Sequence, residues 1–341
     1  MKNPKNKTCQ ATCLLFPPIG WYLYIGLLLV LTSCSSESDA TSNTIMDADN
    51  GPDISTDSVP EQLFEFNVNT NDPEIEMAIA YTLDIWSNYL ETDATIRVNI
   101  VFLPDLSGFL GRSIPNGIKN FDGAPLQDVW YPLSLANAIS GSSLKPNEFD
   151  MDILIASEAN WYFGVDGNPG ANQFDFVTSL LHEICHSLGF GSLAGFEEGV
   201  GRFGNLQPNG YVPSFPIPDL EGLPGIYDLY LATTQMGLIT NTSLFPSNSI
   251  ALGEALTSDA LFFSGSEAKM ENDGANPKLF APSVFLPGSS ISHLDEGSFS
   301  AGDSNRLMEP FFIPEEVIHE PGPLVLAVLK DVGWTIKNSN Q

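Results

Sequence analysis

His182, Glu183 and His186 stand in LHEICHSLGF, residues 181–190, as H-E-x-x-H. On a helix two histidines four residues apart share a face and can reach one ion at about 2.0–2.1 Å. The intervening glutamate is placed to act as a general base toward water rather than to bind the ion. At the helical repeat of about 100° per residue, Val177, Leu180, Leu181, Ile184 and Leu188 fall on one face. Ser179, His182, Glu183 and His186 fall on the opposite face. An apolar stripe would anchor such a helix while the polar face holds a metal. The plainer alternative is a surface helix with two solvated histidines. Against it, the chain has only four histidines, and two of them occupy this face. Gly189 is the residue type that ends a helix in the left-handed conformation.

Two histidines leave a catalytic zinc one protein ligand short, because such sites use three and keep a fourth position open. Ser192 stands where an extended motif would place a third histidine, and a neutral hydroxyl rarely serves. Cys185 lies on the edge of the apolar stripe and reads as a buried, inert thiol. His319 follows Glu315 and Glu316 and reads as a packing or capping residue. His293, in SSISHLDEG, is what remains, with Glu197 and Glu198 in the glycine-rich loop after the helix as the fallback.

Fifteen residues after His293, NRLMEP puts Met308 in a tight Leu-Met-x-Pro turn. With HEICHSLGF and SHLDE, this resembles a metzincin of the leishmanolysin type, in which the third histidine comes from far downstream, shortly before a Met-turn. The resemblance implies His182, His186 and His293 as zinc ligands, Glu183 as general base and Met308 as the floor of the site. It also implies an α+β fold: an N-terminal twisted sheet with two long helices, then a loop-rich C-terminal subdomain. The expected activity is zinc-dependent endopeptidase action on a protein or peptide substrate. The competing classes are a catalytically inactive surface binding protein on the same fold (an adhesin or glycan-binding module) and a zinc hydrolase of a non-peptide bond. A pure binding module has no physical need of Glu183.

The elements that must position these residues read as follows. QLFEFNV begins a strand, and Asp72-Pro73 then starts an amphipathic helix through Ile75, Ala78, Ile79, Leu83, Trp86 and Leu90. ATIRVNIVFLP gives a second strand over residues 96–102. Residues 105–147 are rich in Gly, Pro, Asn and Ser, with a short strand near Val129-Trp130 and a short helix over 133–139. FDMDILIASEA gives a strand over 153–156, expected to form the cleft edge and to pair with an extended substrate. Asp166, Asn168 and Asn172 place oxygens at alternate positions that could hold Ca2+, though a plain turn into the helix is the simpler reading. A last helix covers 324–329. Tyr211, Tyr227 and Tyr230 are the side chains available to steady an oxyanion. The catalytic unit divides into residues 61–189, with the zinc helix, and 190–341, with the third ligand and the Met-turn.

The N-terminus carries three lysines ahead of an apolar run from Leu14 to Leu31, which reads as a secretory signal over residues 1–33. LTSC, residues 31–34, resembles a bacterial lipobox, making Cys34 the lipidation site and the bacterial outer membrane or cell surface the expected location. Residues 34–60 are polar and read as a flexible tether. The formal net charge is −29, with 42 acidic against 13 basic residues. That balance excludes nucleic acid and anionic headgroups as partners, leaving membrane attachment through the N-terminal lipid alone. Past Cys34 the single cysteine is Cys185, so no intramolecular disulfide forms. The expected state is a monomer.

Overall fold

Asp72 and Pro73 start the first helix of the computed structural model as their types predict. The Asp72 carboxylate accepts from the Glu74 N–H at 3.0 Å, and the proline ring sits where no intrahelical donor is needed. The structure describes residues 62–106, 108–204, 220, 222–234 and 236–337. The signal over 1–33, Cys34, the tether over 34–60 and Tyr211 lie outside the described residues. The described residues fall in one compact unit.

In chain order this unit begins with β1 (Phe64–Val68), α1 (Pro73–Tyr89), β2 (Ile96–Leu103) and β3 (Gly111–Pro115). Two-residue strands β4 (Gly117–Ile118) and β5 (Tyr131–Pro132) precede α2 (Leu133–Ser140) and β6 (Met151–Ala156). Then come β7 (Trp161–Tyr162), β8 (Phe174–Asp175) and α3 (Phe176–Leu188), the helix carrying H-E-x-x-H. A hairpin of β9 (Ala194–Glu197) and β10 (Val200–Phe203) follows, then β11 (Leu231–Thr233), β12 (Gly237–Leu238), α4 (Ile250–Leu256), β13 (Leu261–Phe263) and α5 (Ser266–Glu271). A 3-10 turn over Ser304–Met308 and α6 (Pro323–Val332) complete it. Among the described residues six α-helices and small sheets make a mixed α/β architecture compatible with the α+β class. Among the described residues no helix is long and apolar enough to cross a membrane.

The main sheet has the order β1-β2-β6-β3, parallel except for β3, which runs antiparallel to β6. That order corrects one expectation. The strand over 153–156 cannot be the cleft edge, because β6 is hydrogen-bonded on both sides. The edge is β3, GRSIP, inside the stretch read as mostly loop. The short strand expected at Val129-Trp130 falls two residues later, at Tyr131–Pro132.

α1 lays Ala78, Ile79, Leu83 and Trp86 against the core, and α3 contributes Phe176, Val177, Leu180, Leu181, Ile184 and Leu188. Residues on both sides of Gly189 share one apolar cluster, from Phe64 to Trp334. With Cys185 free and buried, packing rather than cross-linking holds this unit together.

Candidate metal centre

α3 is fixed at both ends. Its N-cap Asp175 accepts from the Thr178 N–H at 2.8 Å and the Thr178 hydroxyl at 2.7 Å. Gly189 ends it at φ 119°, a conformation a Cβ would strain. The expected two faces are present, but the polar face is covered too: His182 is 5% exposed and Glu183 8%. What covers it is the distant segment around His293, itself 3% exposed, together with the turn at Leu307-Met308.

The three histidines meet at their Nε2 atoms. The separations are 3.0 Å for His182–His186 and 3.2 Å for both His186–His293 and His182–His293. Each Nδ1 faces a backbone carbonyl: Leu307 at 2.6 Å from His182, Phe190 at 2.7 Å from His186, Ser289 at 2.7 Å from His293. A carbonyl can only accept, so each Nδ1 carries the proton and each Nε2 presents a lone pair. Burial enforces the neutral form, pushing His186 down to about 4 and His182 and His293 well below the usual histidine range. Three buried lone pairs converging this closely repel unless a cation lies between them. Imidazoles held tetrahedrally at about 2.0–2.1 Å from one ion would be separated by roughly 3.3–3.4 Å, a few tenths from the spacing found. The donor set therefore fits a metal ion, and it is the one group of three or more ligating side chains of this kind among the described residues.

Around this triangle the turn after His293 binds two ligand segments at once. The Leu307 carbonyl holds His182, and the Met308 carbonyl accepts from the Leu294 N–H at 2.8 Å. Met308 itself is fully buried. Phe312 packs edge-on against the His182 ring at 4.9 Å. Glu183 lies against Gly111 of β3, where an added Cβ would come within 2.6 Å of its Oε1. Burial pushes the Glu183 carboxyl up to about 8, opposed by the positive charge of Arg112.

Residues weighed for the third ligand or for oxyanion binding find other partners. Ser192 hydrogen-bonds through its hydroxyl to Asp228, and its N–H donates to Ser292 Oγ at 3.0 Å, beside His293. Glu197 pairs with Arg202 at 3.0 Å across the β9–β10 hairpin, and Glu198 is exposed at the hairpin tip. His319 sits at the other end of α3, 2.8 Å from Asp175. Tyr227 is buried against Phe190 and Phe263, and the Tyr230 hydroxyl donates to the Asp331 carbonyl. Asp166 is engaged by the Tyr162 hydroxyl and the Asn168 N–H, the hydrogen bonds of a turn.

Sequence reasoning missed Asp228. Fully buried, it accepts from the Ser192 hydroxyl, the Leu193 N–H at 3.2 Å and the Gly225 N–H at 2.8 Å. Burial raises its carboxyl to about 6 against those three bonds. It also missed Gly111, Phe312 and the three carbonyls, none of which has a side-chain type that advertises the role.

Residues 128–203 match the SPBPB7E8-like family, a segment that holds His182, Glu183 and His186 but stops short of His293. The uncharacterized protein PB7E8.01 of Schizosaccharomyces pombe is 25% identical, over 61% of this chain and 47% of its own length. The chain thus spans about half the length of this relative. No solved structure matches the chain.

Proposed function

We propose that the chain is a zinc-dependent endopeptidase of the metzincin type, leishmanolysin-like in taking its third ligand from far downstream. The observation that carries this reading is the triangle of Nε2 lone pairs, each fixed by a carbonyl on the opposite ring nitrogen, with buried Glu183 one residue from a ligand. A zinc ion held by His182, His186 and His293 would supply Lewis acidity to a substrate carbonyl and to water. Glu183 takes the proton from that water and passes it to the leaving amine. A metal ion beside it would favour the ionised carboxylate that this step requires. A binding module on the same fold would bury this carboxylate at a cost with nothing gained.

The substrate lies extended along β3. The Ala156 N–H donates to the Leu110 carbonyl at 2.9 Å, so Leu110, Arg112 and Ile114 turn their backbone groups toward β6. By the alternation of antiparallel pairing, Gly111 and Ser113 turn theirs to the free edge. A peptide added there runs past Glu183, which Gly111 admits by lacking a side chain. Attachment outside the cell through lipidated Cys34 belongs to the same proposal and rests on the sequence.

The test is digestion of a denatured-protein mixture by the purified protein. Cleavage should stop on chelation, return with added zinc and be absent in Glu183→Gln, which keeps its zinc. Cleavage unaffected by chelator and by Glu183→Gln would overturn the reading.

A further inference from the structure

The chain has four arginines, and three of them are neutralised: Arg97 by Glu65 at 3.3 Å, Arg202 by Glu197 at 3.0 Å, Arg306 by Glu316 at 2.7 Å. Arg112 is the exception. Among the described residues no carboxylate comes within the 4.0 Å of an ion pair, and no acceptor takes a hydrogen bond from its guanidinium. Yet the residue is partly buried, and burial works against its charge, with the Glu183 carboxyl the opposing influence. A guanidinium stays protonated under such conditions, so among the described residues its five N–H donors have no acceptor.

Its surroundings place it at the rim of the site. Gly111, the preceding residue, is the one pressed against Glu183. The guanidinium carbon lies 4.1 Å from the centroid of the Phe109 ring. That ring stands 3.7 Å from where a Cβ on Gly288 would be, one residue before the carbonyl that holds His293. Stacking on an aromatic face fixes the plane of a guanidinium while leaving the donors at its edge free for a planar, bidentate partner. β3 is one edge of the four-stranded sheet, and a strand added to an edge sets its side chains opposite those of the edge strand, with Cβ atoms about 4.5–5.5 Å apart.

We infer that Arg112 is a carboxylate-binding residue of the substrate cleft, selecting peptides that present a carboxylate beside the strand docked on β3. The inference rests on the endopeptidase reading and gives its substrate class. The carboxylate comes either from an Asp or Glu side chain or from the C-terminus of a peptide ending at that point. Both offer the same two oxygens to a guanidinium fork. The −29 charge of the chain does not forbid this, since charges beyond about 8 Å are screened at physiological ionic strength.

The experiment has a binding arm and a cleavage arm, both on the purified protein loaded with zinc. For binding, the Glu183→Gln variant is titrated with four fluorescent peptides of one sequence, carrying Asp or Asn at one position and a free or amidated C-terminus. The inference expects the carboxylate-bearing peptides to bind roughly tenfold or more tightly, and the preference to vanish when Arg112→Gln is added. The Asp/Asn contrast and the free/amide contrast tell the two sources apart. Arg112→Lys keeps the charge but not the fork and should retain part of the preference. Equal zinc content in all variants reports that the fold is kept. For cleavage, the new termini made in a protein mixture should be enriched for Asp or Glu at one fixed distance from the cut, or should lie near C-termini. Arg112→Gln should remove that enrichment, and Arg112→Glu should turn it toward Lys and Arg. Equal binding of all four peptides, or a preference that survives Arg112→Gln, overturns the inference. Cleavage with no carboxylate enrichment overturns it too and leaves the endopeptidase reading standing. Selective binding without any cleavage keeps the inference for Arg112 and removes the endopeptidase.

Discussion

The Nδ1 of His182 donates to the carbonyl oxygen of Leu307 at 2.6 Å, across 125 residues of sequence. That bond fixes the tautomer of a candidate ligand through a backbone group of a distant turn. The next residue, Met308, holds Leu294 through its own carbonyl, so one turn aligns His182 and the His293 segment together. The turn thus ties His182 and the segment of His293 to one another through two backbone carbonyls.

Met308 is fully buried within this turn, so its removal should be felt both in stability and at the metal. Met308→Ala is expected to cost about 2–5 kcal/mol, and Met308→Leu less than about 1.5 kcal/mol. Zinc affinity should fall with Met308→Ala by roughly 10–100-fold, the usual cost of disturbing what orients a ligand. Urea unfolding and a competitive zinc titration measure the two effects. An Ala variant as stable as the wild type would mean that the turn is not packed as described.

Gly111 is required by close approach, not by its backbone angles. A Cβ there would stand 2.6 Å from Glu183 Oε1 and 2.8 Å from its Cγ. Gly111→Ala should therefore push Glu183, the proposed general base, aside while leaving the three histidines in place. Hydrolysis should fall by at least about tenfold in kcat, with zinc content unchanged. Full activity in that variant would take Glu183 away from β3.

Asp228 joins the turn after α3 to the segment at Gly225, and Ser192 passes the restraint to Ser292 beside His293. Asp228→Ala leaves two N–H groups and a hydroxyl without their charged acceptor, a loss of roughly 3 kcal/mol or more. Because the turn also carries the Phe190 carbonyl that holds His186, zinc affinity should drop with it. Stability measured by denaturant and affinity measured by chelator competition should move together. A large stability loss at unchanged affinity would make Asp228 a purely structural tie.

Asp150 supplies a pH signature. Burial raises its carboxyl to about 6, against the Arg97 N–H at 2.9 Å and the Asn137 amide at 2.8 Å. Between the unfolded value near 4 and the folded value, the folded state binds the proton more tightly, so stability falls as pH rises through this window. The ionised carboxylate then costs on the order of 2–3 kcal/mol above pH 6, a cost relieved on acidification toward pH 4. Asp150→Asn cannot titrate. Relative to that variant, the wild type should gain stability as pH falls from 7 to 4.5, read from urea midpoints at matched salt. A difference that stays flat with pH would place the carboxyl at its ordinary value.

How far the sequence foretold all this depended on where the information lay. α1 and α3 were legible because each carries its own signals: Asp72-Pro73 and a three-and-four apolar spacing in one, H-E-x-x-H and Gly189 in the other. β3 was not, since GRSIP has no apolar alternation and an edge strand needs only one neighbour, supplied by β6 forty residues on. Tyr227 and Tyr230 were named by type alone, and type says nothing about orientation: one is packed in the core and the other is bound to Asp331. The candidate ligands were visible as side chains. The carbonyls of Leu307, Phe190 and Ser289 were not, because every residue has one and only the fold chooses which to use.

The last prediction concerns the ligand that sequence spacing could not supply. His293 competed for the third position with Ser192, Glu197, Glu198 and His319, and the structure sets three of these rivals apart by what each already bonds. Ser192 is spent on Asp228, Glu197 on Arg202, His319 on Asp175 at the far end of α3. His293 alone brings a free Nε2 to within 3.2 Å of both His182 and His186. His293→Ala should therefore weaken zinc binding about as much as His186→Ala, and by more than the roughly 10–100-fold that loss of an orienting hydrogen bond costs. Ser192→Ala, Glu197→Ala, Glu198→Ala and His319→Ala should leave the occupancy near one zinc per chain. Metal analysis after dialysis against a graded chelator distinguishes these outcomes. Should His293→Ala retain its zinc while Glu197→Ala or Glu198→Ala loses it, the ion would be held by the hairpin after α3 instead, and the leishmanolysin-like reading would fall with that result.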